Sequence, residues 1–187
     1  KPGASGLLAL DWNNGNRTVL VDQQLTGMMI GLTLHTTPGE QFGALREATA
    51  FGARMIRDRM VQYGIPIDRV INCGGISVKS PALMQVYADV FNCPMQVSAS
   101  EQTCALGAAM AGAVVAGVHA DFEAANVMAA GIQAEYEPIP ENVAIYERLF
   151  ALYQEVHDLF GTKDYSGTPF HVMKELIAIR EEQRESS

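Results

Sequence analysis

No stretch of this 187-residue chain is apolar for long enough to cross a bilayer, which takes about 20 residues. The nearest candidate, around Ala105 to Val118, is short and broken by glycines. A basic segment followed by an apolar one, the mark of an export leader, is also missing. Cysteine is scarce: Cys73, Cys93 and Cys104 are odd in number and widely spaced. They make neither a disulfide framework nor a zinc site, and free cysteines in apolar surroundings point to a reducing cytoplasm. Basic residues are outnumbered, 13 against 21 acidic ones, for a net charge of −8. With no basic stripe, a nucleic-acid partner is excluded as a class, and loose attraction to anionic membranes is disfavoured. The densest basic group, Arg54, Arg57 and Arg59, falls in a helical pattern and reads as a solvated face. His35, His119, His157 and His171 are dispersed without metal-ligand spacing and read as loop or helix-surface residues. The phosphate-binding patterns G-x-x-x-x-G-K-[ST] and G-x-G-x-x-G are absent. A phosphorylated ligand is not excluded, because backbone N–H groups, a helix N-terminus or a metal ion can hold it.

What the chain does have is 48% hydrophobic residues, enough for one packed domain, or for one domain plus a short extension. Gly6–Leu10 and Thr18–Val21 read as strands separated by an Asn14-Gly15 turn. Met28–Ile30 and Leu32–Leu34 read as a further strand. A long helix starts at Thr37 as N-cap, with Pro38 at its first position and Glu40 completing a capping box. Its expected buried face is Phe42, Leu45, Ala48, Gly52, Met55, Ile56, Met60 and Tyr63, and Gly64 and Pro66 end it. Arg69–Asn72 reads as a strand, Cys73–Lys79 as a tight loop, and Ser80-Pro81 as the start of a helix running to Phe91. Met95–Val97 is the next strand, and Ser98 and Glu101 are placed to cap a helix over 103–116. Strand, helix, strand, helix in this order favours parallel pairing. The many small residues of that last helix, Gly107 and Gly112 among them, predict close packing on a sheet. Asp121–Ala130 reads as a short helix stopped by Gly131, Tyr136–Pro140 as a spacer, and Glu141–Phe160 as an amphipathic helix. A final helix over His171–Arg180 precedes a polar tail, Glu181–Ser187, expected to fray. Lys1 reads as the entry into a strand, so the chain is expected to be an excised part of something longer.

Chemistry is best placed at Gly74-Gly75. Ligands of open α/β sheets bind beyond the carboxyl ends of the strands, and glycine lets the backbone approach a flat ring or a phosphate. Ser77 and Lys79 could add polar contacts. On spacing alone, a Gly-Gly turn before a helix is more often only a turn. Asp11 could serve as a general base or metal ligand, although turn aspartates are common and that reading is favoured. Cys73 borders the glycines, and a small buried residue describes it better than a reactive thiol.

The run Cys73-Gly-Gly-Ile-Ser-Val-Lys-Ser-Pro-Ala-Leu-Met-Gln-Val-Tyr-Ala-Asp-Val-Phe-Asn-Cys-Pro-Met95 resembles the adenosine motif of the FGGY carbohydrate kinases. Cys104–Gly112, Gly31–Pro38 and Glu47–Gly52 resemble further segments of the same domain, in the family's order. Leu10–Arg17 is similar to a stretch of the ribulokinase branch. Together they cover about residues 6–118. The resemblance implies an α/β fold of the actin-like, ribonuclease-H-like type, a mixed sheet flanked by helices. It divides the chain into a nucleotide-binding part, residues 1–132, and a helical extension, residues 133–187. ATP with magnesium is the implied cofactor, and a sugar, L-ribulose or that of a related kinase (xylulose, glycerol), the implied substrate. Gly74 and Gly75 would lie against the adenosine, Lys79 at the adenine edge, and Ser77 nearby. The catalytic aspartate and the main sugar contacts belong upstream, so this chain alone would catalyse nothing. A non-catalytic actin-like module is the competing reading. The apolar helix faces beyond residue 132 allow packing on the domain or a homo-oligomer contact.

Overall fold

A computed structural model describes residues 1–129 and 131–186. The expected ends of a helix at Ala130 and of the tail at Ser187 lie outside the described residues. Strand β1 (Leu8–Leu10) pairs antiparallel with β2 (Met28–Ile30), Leu8 facing Ile30. All of β1 is buried, so this short ribbon forms one wall of the core. The turn at Asn14-Gly15 is present, Gly15 having φ +72° and lying against the Gln23 backbone. The strand expected over Thr18–Val21 is not. Val19 and Val21 have positive φ, 91° and 56°, which no strand accepts. Asn16 and Asp22 instead exchange backbone hydrogen bonds of 2.9 and 2.8 Å, closing a loop. Leu32–Leu34 is likewise irregular.

Helix α1 (Pro38–Gln62) has the expected capping box: the Glu40 N–H donates to Thr37 Oγ1, and the Thr37 N–H to Glu40 Oε2 at 2.8 Å. Its buried face is turned from the expected one. Ala44, Ala48, Ala50 and Phe51 face inward, whereas Phe42, Leu45, Met60 and Tyr63 are exposed. Nor do Arg54 and Arg57 form a solvated face. Each donates from Nη1 to a last-turn carbonyl of α3 (Pro81–Phe91), Arg54 to Val90 at 2.8 Å and Arg57 to Phe91 at 2.7 Å. Only the third arginine, Arg59, is exposed.

Strand β3 (Val70–Asn72) runs parallel to β4 (Met95–Ser98), as the element order demands. The expected loop between them is partly helical, α2 (Gly75–Lys79). Strand β5 (Ile132–Tyr136) then pairs antiparallel with β4, placing Tyr136 opposite Met95 rather than in a spacer. Helix α4 (Thr103–Val115) overturns the packing expectation. None of its residues is buried, and a Cβ added at Gly107 or Gly112 would meet no atom within 4 Å. Ser98 and Glu101 do not cap it; Ser98 Oγ accepts from the Ser100 N–H instead.

Helix α5 (Phe122–Ala125), capped by the Asp121 carboxylate, continues as a 3-10 turn to Met128. Helix α6 (Pro140–Gly161) and helix α7 (Val172–Glu185) complete the chain, and α7 extends through most of the expected fraying tail. Arg148 of α6 holds it there by bonding Glu175, at 2.8 Å, and Glu182. The core is continuous from Leu8 through Phe51, Val90 and Tyr153 to Leu176, so the helices beyond residue 132 bury their apolar faces against the same centre as β1 and α1. Among the described residues no helix is long and apolar enough to cross a membrane.

Candidate functional site

At the carboxyl end of the parallel pair, two connections leave side by side. From β3 the chain enters Cys73 and the glycines; from β4 it passes Ala99–Gln102 into α4. Gly74 stands at φ +91°, in the left-handed region where a side chain costs roughly 1–2 kcal/mol. Gly75 is different. Its φ is ordinary, it is exposed, and an added Cβ would meet nothing within 4 Å. No contact within the chain therefore requires glycine at 75, and a bare backbone there leaves room for something outside the chain.

The four residues expected at the site share one turn of structure. Ser77 is buried and donates from Oγ to the Gly74 carbonyl at 2.8 Å, closing the turn from beneath. Lys79, at the end of α2, is exposed. Cys73 is exposed as well, contrary to expectation, as is Cys104, and all three cysteines are free. Among the described residues no group of three His, Cys, Asp or Glu could hold a metal ion.

What fixes this turn is the placement of α3. Asp89 is buried near the carboxyl end of α3 and accepts from Gln85 Nε2, the Ile139 N–H and Asn142 Nδ2, at 2.8–2.9 Å. The two arginines of α1 hold the carbonyls beside it. The helix behind the glycines is thus bound to α1 and α6 at its far end. Reading Asp89 only as part of a motif missed this, because its partners lie 50 and 53 residues away.

A second polar group surrounds Asp11. Tyr153 donates to Asp11 Oδ1 at 2.9 Å, and burial raises the Asp11 pKa above the usual carboxylate value. A Cβ at Gly52 would collide with this carboxylate. His157, expected on a helix surface, is 1% exposed and packs edge-on against Trp12, with ring centres 5.2 Å apart. These residues border a cavity of about 480 Å³.

Residues 1–116 match the C-terminal domain of the FGGY family of carbohydrate kinases, and the chain belongs to that family. Its fold is the actin-like one of these kinases. It superposes on xylulose kinase from Lactobacillus acidophilus with a TM-score of 0.76 at 24% identity, over 87% of this chain and 33% of that one. For xylulose kinase from Rhodospirillum rubrum the TM-score is 0.68 at 27% identity, over 84% and 32%. In sequence it is nearer to ribulokinases: 52% identical over 166 residues to that of Anoxybacillus flavithermus, covering 86% of this chain and 29% of the relative. Against the ribulokinase of Halalkalibacterium halodurans it is 47% identical over 192 residues, covering 100% and 33%. The chain thus spans about a third of the length of the curated relatives it matches.

Proposed function

We propose that this chain forms the nucleotide-binding face of an ATP-dependent sugar kinase whose substrate is L-ribulose. The observation that supports it best is the open backbone at Gly75, within a family-matched turn at the carboxyl end of a parallel strand pair. In this reading the adenosine lies flat on Gly74-Gly75, where no side chain intervenes. Lys79 approaches the edge of the base, and Ser77 acts through the Gly74 carbonyl by holding the turn in shape.

Phosphoryl transfer is mostly a matter of positioning and charge stabilisation. This chain supplies the positioning of one reactant. Magnesium, carried with the phosphates, would neutralise the charge that develops there, and its protein ligands belong to the other two-thirds of the full-length protein. So do the base that takes the sugar hydroxyl's proton and the sugar contacts. The names of the relatives nearest in sequence favour L-ribulose over xylulose or glycerol. A coupled assay of ADP release, run on the full-length protein across ketopentoses and polyols with magnesium present, tests this. Selective turnover of L-ribulose is expected; turnover of no sugar by folded protein contradicts the reading.

A further inference from the structure

Helix α7 carries more apolar surface than the core uses. Val172, Leu176 and Ile179 face inward and are buried. Phe170, in the 3-10 turn that leads into α7, begins a second stripe with Met173 and Ile177. Spacings of three and four residues keep these side chains on one side of the helix. They are 75%, 62% and 44% exposed, and Phe160, at the end of α6, is 53% exposed. Phe160, Phe170 and Met173 line an open apolar cavity of about 600 Å³. Apolar residues scattered singly on a surface need no explanation, but large ones gathered in one patch mark a contact. Phenylalanine and methionine are also enriched in the centres of protein interfaces.

The charges beside the stripe specify what covers it. Lys174 is the one charged residue lining the cavity. Among the described residues it has no carboxylate within 4 Å and rests on the Phe170 ring, its Nζ 3.5 Å from the centre. The other end of α7 is acidic. Glu182 is taken by Arg148, but Glu181 is exposed and held only by Arg180 at 3.8 Å. Seven residues make about two helical turns, so Lys174 and Glu181 flank the same edge of the stripe, one near each end. Two such helices packed antiparallel bring like edges together, and each lysine then meets the other helix's glutamate. Opposite charges on facing edges set partner and orientation. A two-fold axis across a helix produces this antiparallel arrangement, using one patch twice.

We propose that the outer stripe of α7 is the contact between two copies of this chain, related by a two-fold axis. Phe170, Met173 and Ile177 pack at its centre, and Lys174 of each copy lies against Glu181 of the other. The inference does not rest on the kinase reading and is tested apart from it.

Sedimentation velocity of the full-length protein over a range of concentrations tests it. The parent sediments as a dimer, and Met173→Glu dissociates it to monomers. Lys174→Glu and Glu181→Lys, each of which sets like charges against one another twice, raise the dimer dissociation constant at least about tenfold. The double exchange, Lys174→Glu with Glu181→Lys, restores the parent value. These exposed charge exchanges keep the test valid if Met173→Glu does not fold. A parent that stays monomeric, as when the rest of its own polypeptide covers the stripe, overturns the proposal. So does a dimer that neither single charge reversal weakens, or one that the double exchange fails to rescue.

Discussion

Asn142 Nδ2 donates to Asp89 Oδ2 at 2.8 Å, joining the first turn of α6 to the helix that follows the glycine turn. Asp89 is 2% exposed and, among the described residues, has no basic partner within ion-pair distance, so its hydrogen-bond partners are two side-chain amides and one backbone N–H. Asp89→Ala would strand these three donors. At about 1–3 kcal/mol for each unpaired buried group, discounted for the part-exposed Gln85, the expected loss is roughly 3–5 kcal/mol. Urea unfolding measures it.

Arg54 and Arg59 sit five residues apart on α1 and should respond oppositely. The Arg54 guanidinium bonds the Val90 carbonyl and lies 4.0 Å over the Phe150 ring. Arg54→Ala is expected to cost about 2–3 kcal/mol, from a charged hydrogen bond and a partly desolvated cation–π contact. Arg59→Ala should stay within about 0.5 kcal/mol, as exposed substitutions do. Equal effects in denaturant melts would contradict the clamp on α3.

Glu47 gives the chain a pH signature. Desolvation by burial raises its carboxyl from 4.5 to about 7, opposed by the hydrogen bond from Tyr146. The unfolded chain releases this proton near 4.5 and the folded chain only near 7, so the folded state binds more protons in between. Stability from this group is therefore full below about pH 4.5 and is lost as pH rises to about 7. Glu47→Gln removes the dependence while keeping an acceptor for Tyr146. Melting temperatures at pH 5 and pH 8 should show the variant gaining on the parent at the higher pH. A constant difference would mean that Glu47 titrates normally.

Local signals in the sequence were accurate where the cause was local. The capping box at Thr37 and Glu40 and the Asn14-Gly15 turn depend on residues within a few positions of one another, and the parallel pairing of β3 with β4, 25 residues on, follows from the order of the elements. The failures have long-range causes. Strand β5 forms because β4 offers it an edge, although Ile132, Ala134 and Tyr136 do alternate in the sequence. Periodicity told that α1 has an apolar face but not which apolar residues the core would take. The small residues of α4 promised close packing, and composition cannot say whether the packing partner lies within this chain. Gly74 and Gly75 were legible as a turn, whereas their different reasons for being glycine were not. Asp11 read as a turn residue because its partner, Tyr153, is 142 residues away.

That difference between the two glycines separates structure from binding. Gly74→Ala places a side chain at φ +91° and should cost roughly 1–2 kcal/mol of stability. Gly75→Leu starts from a Cβ with no atom within 4 Å, at an exposed position of ordinary φ, and should leave the unfolding midpoint unchanged.

The most direct test is to titrate ATP with magnesium into the full-length protein and its Gly75→Leu variant by calorimetry, with thermal melts in parallel. If the nucleotide lies on this turn, Gly75→Leu loses at least tenfold in ATP affinity at unchanged melting temperature. Undiminished ATP binding by the folded variant would show that the nucleotide does not lie on this turn.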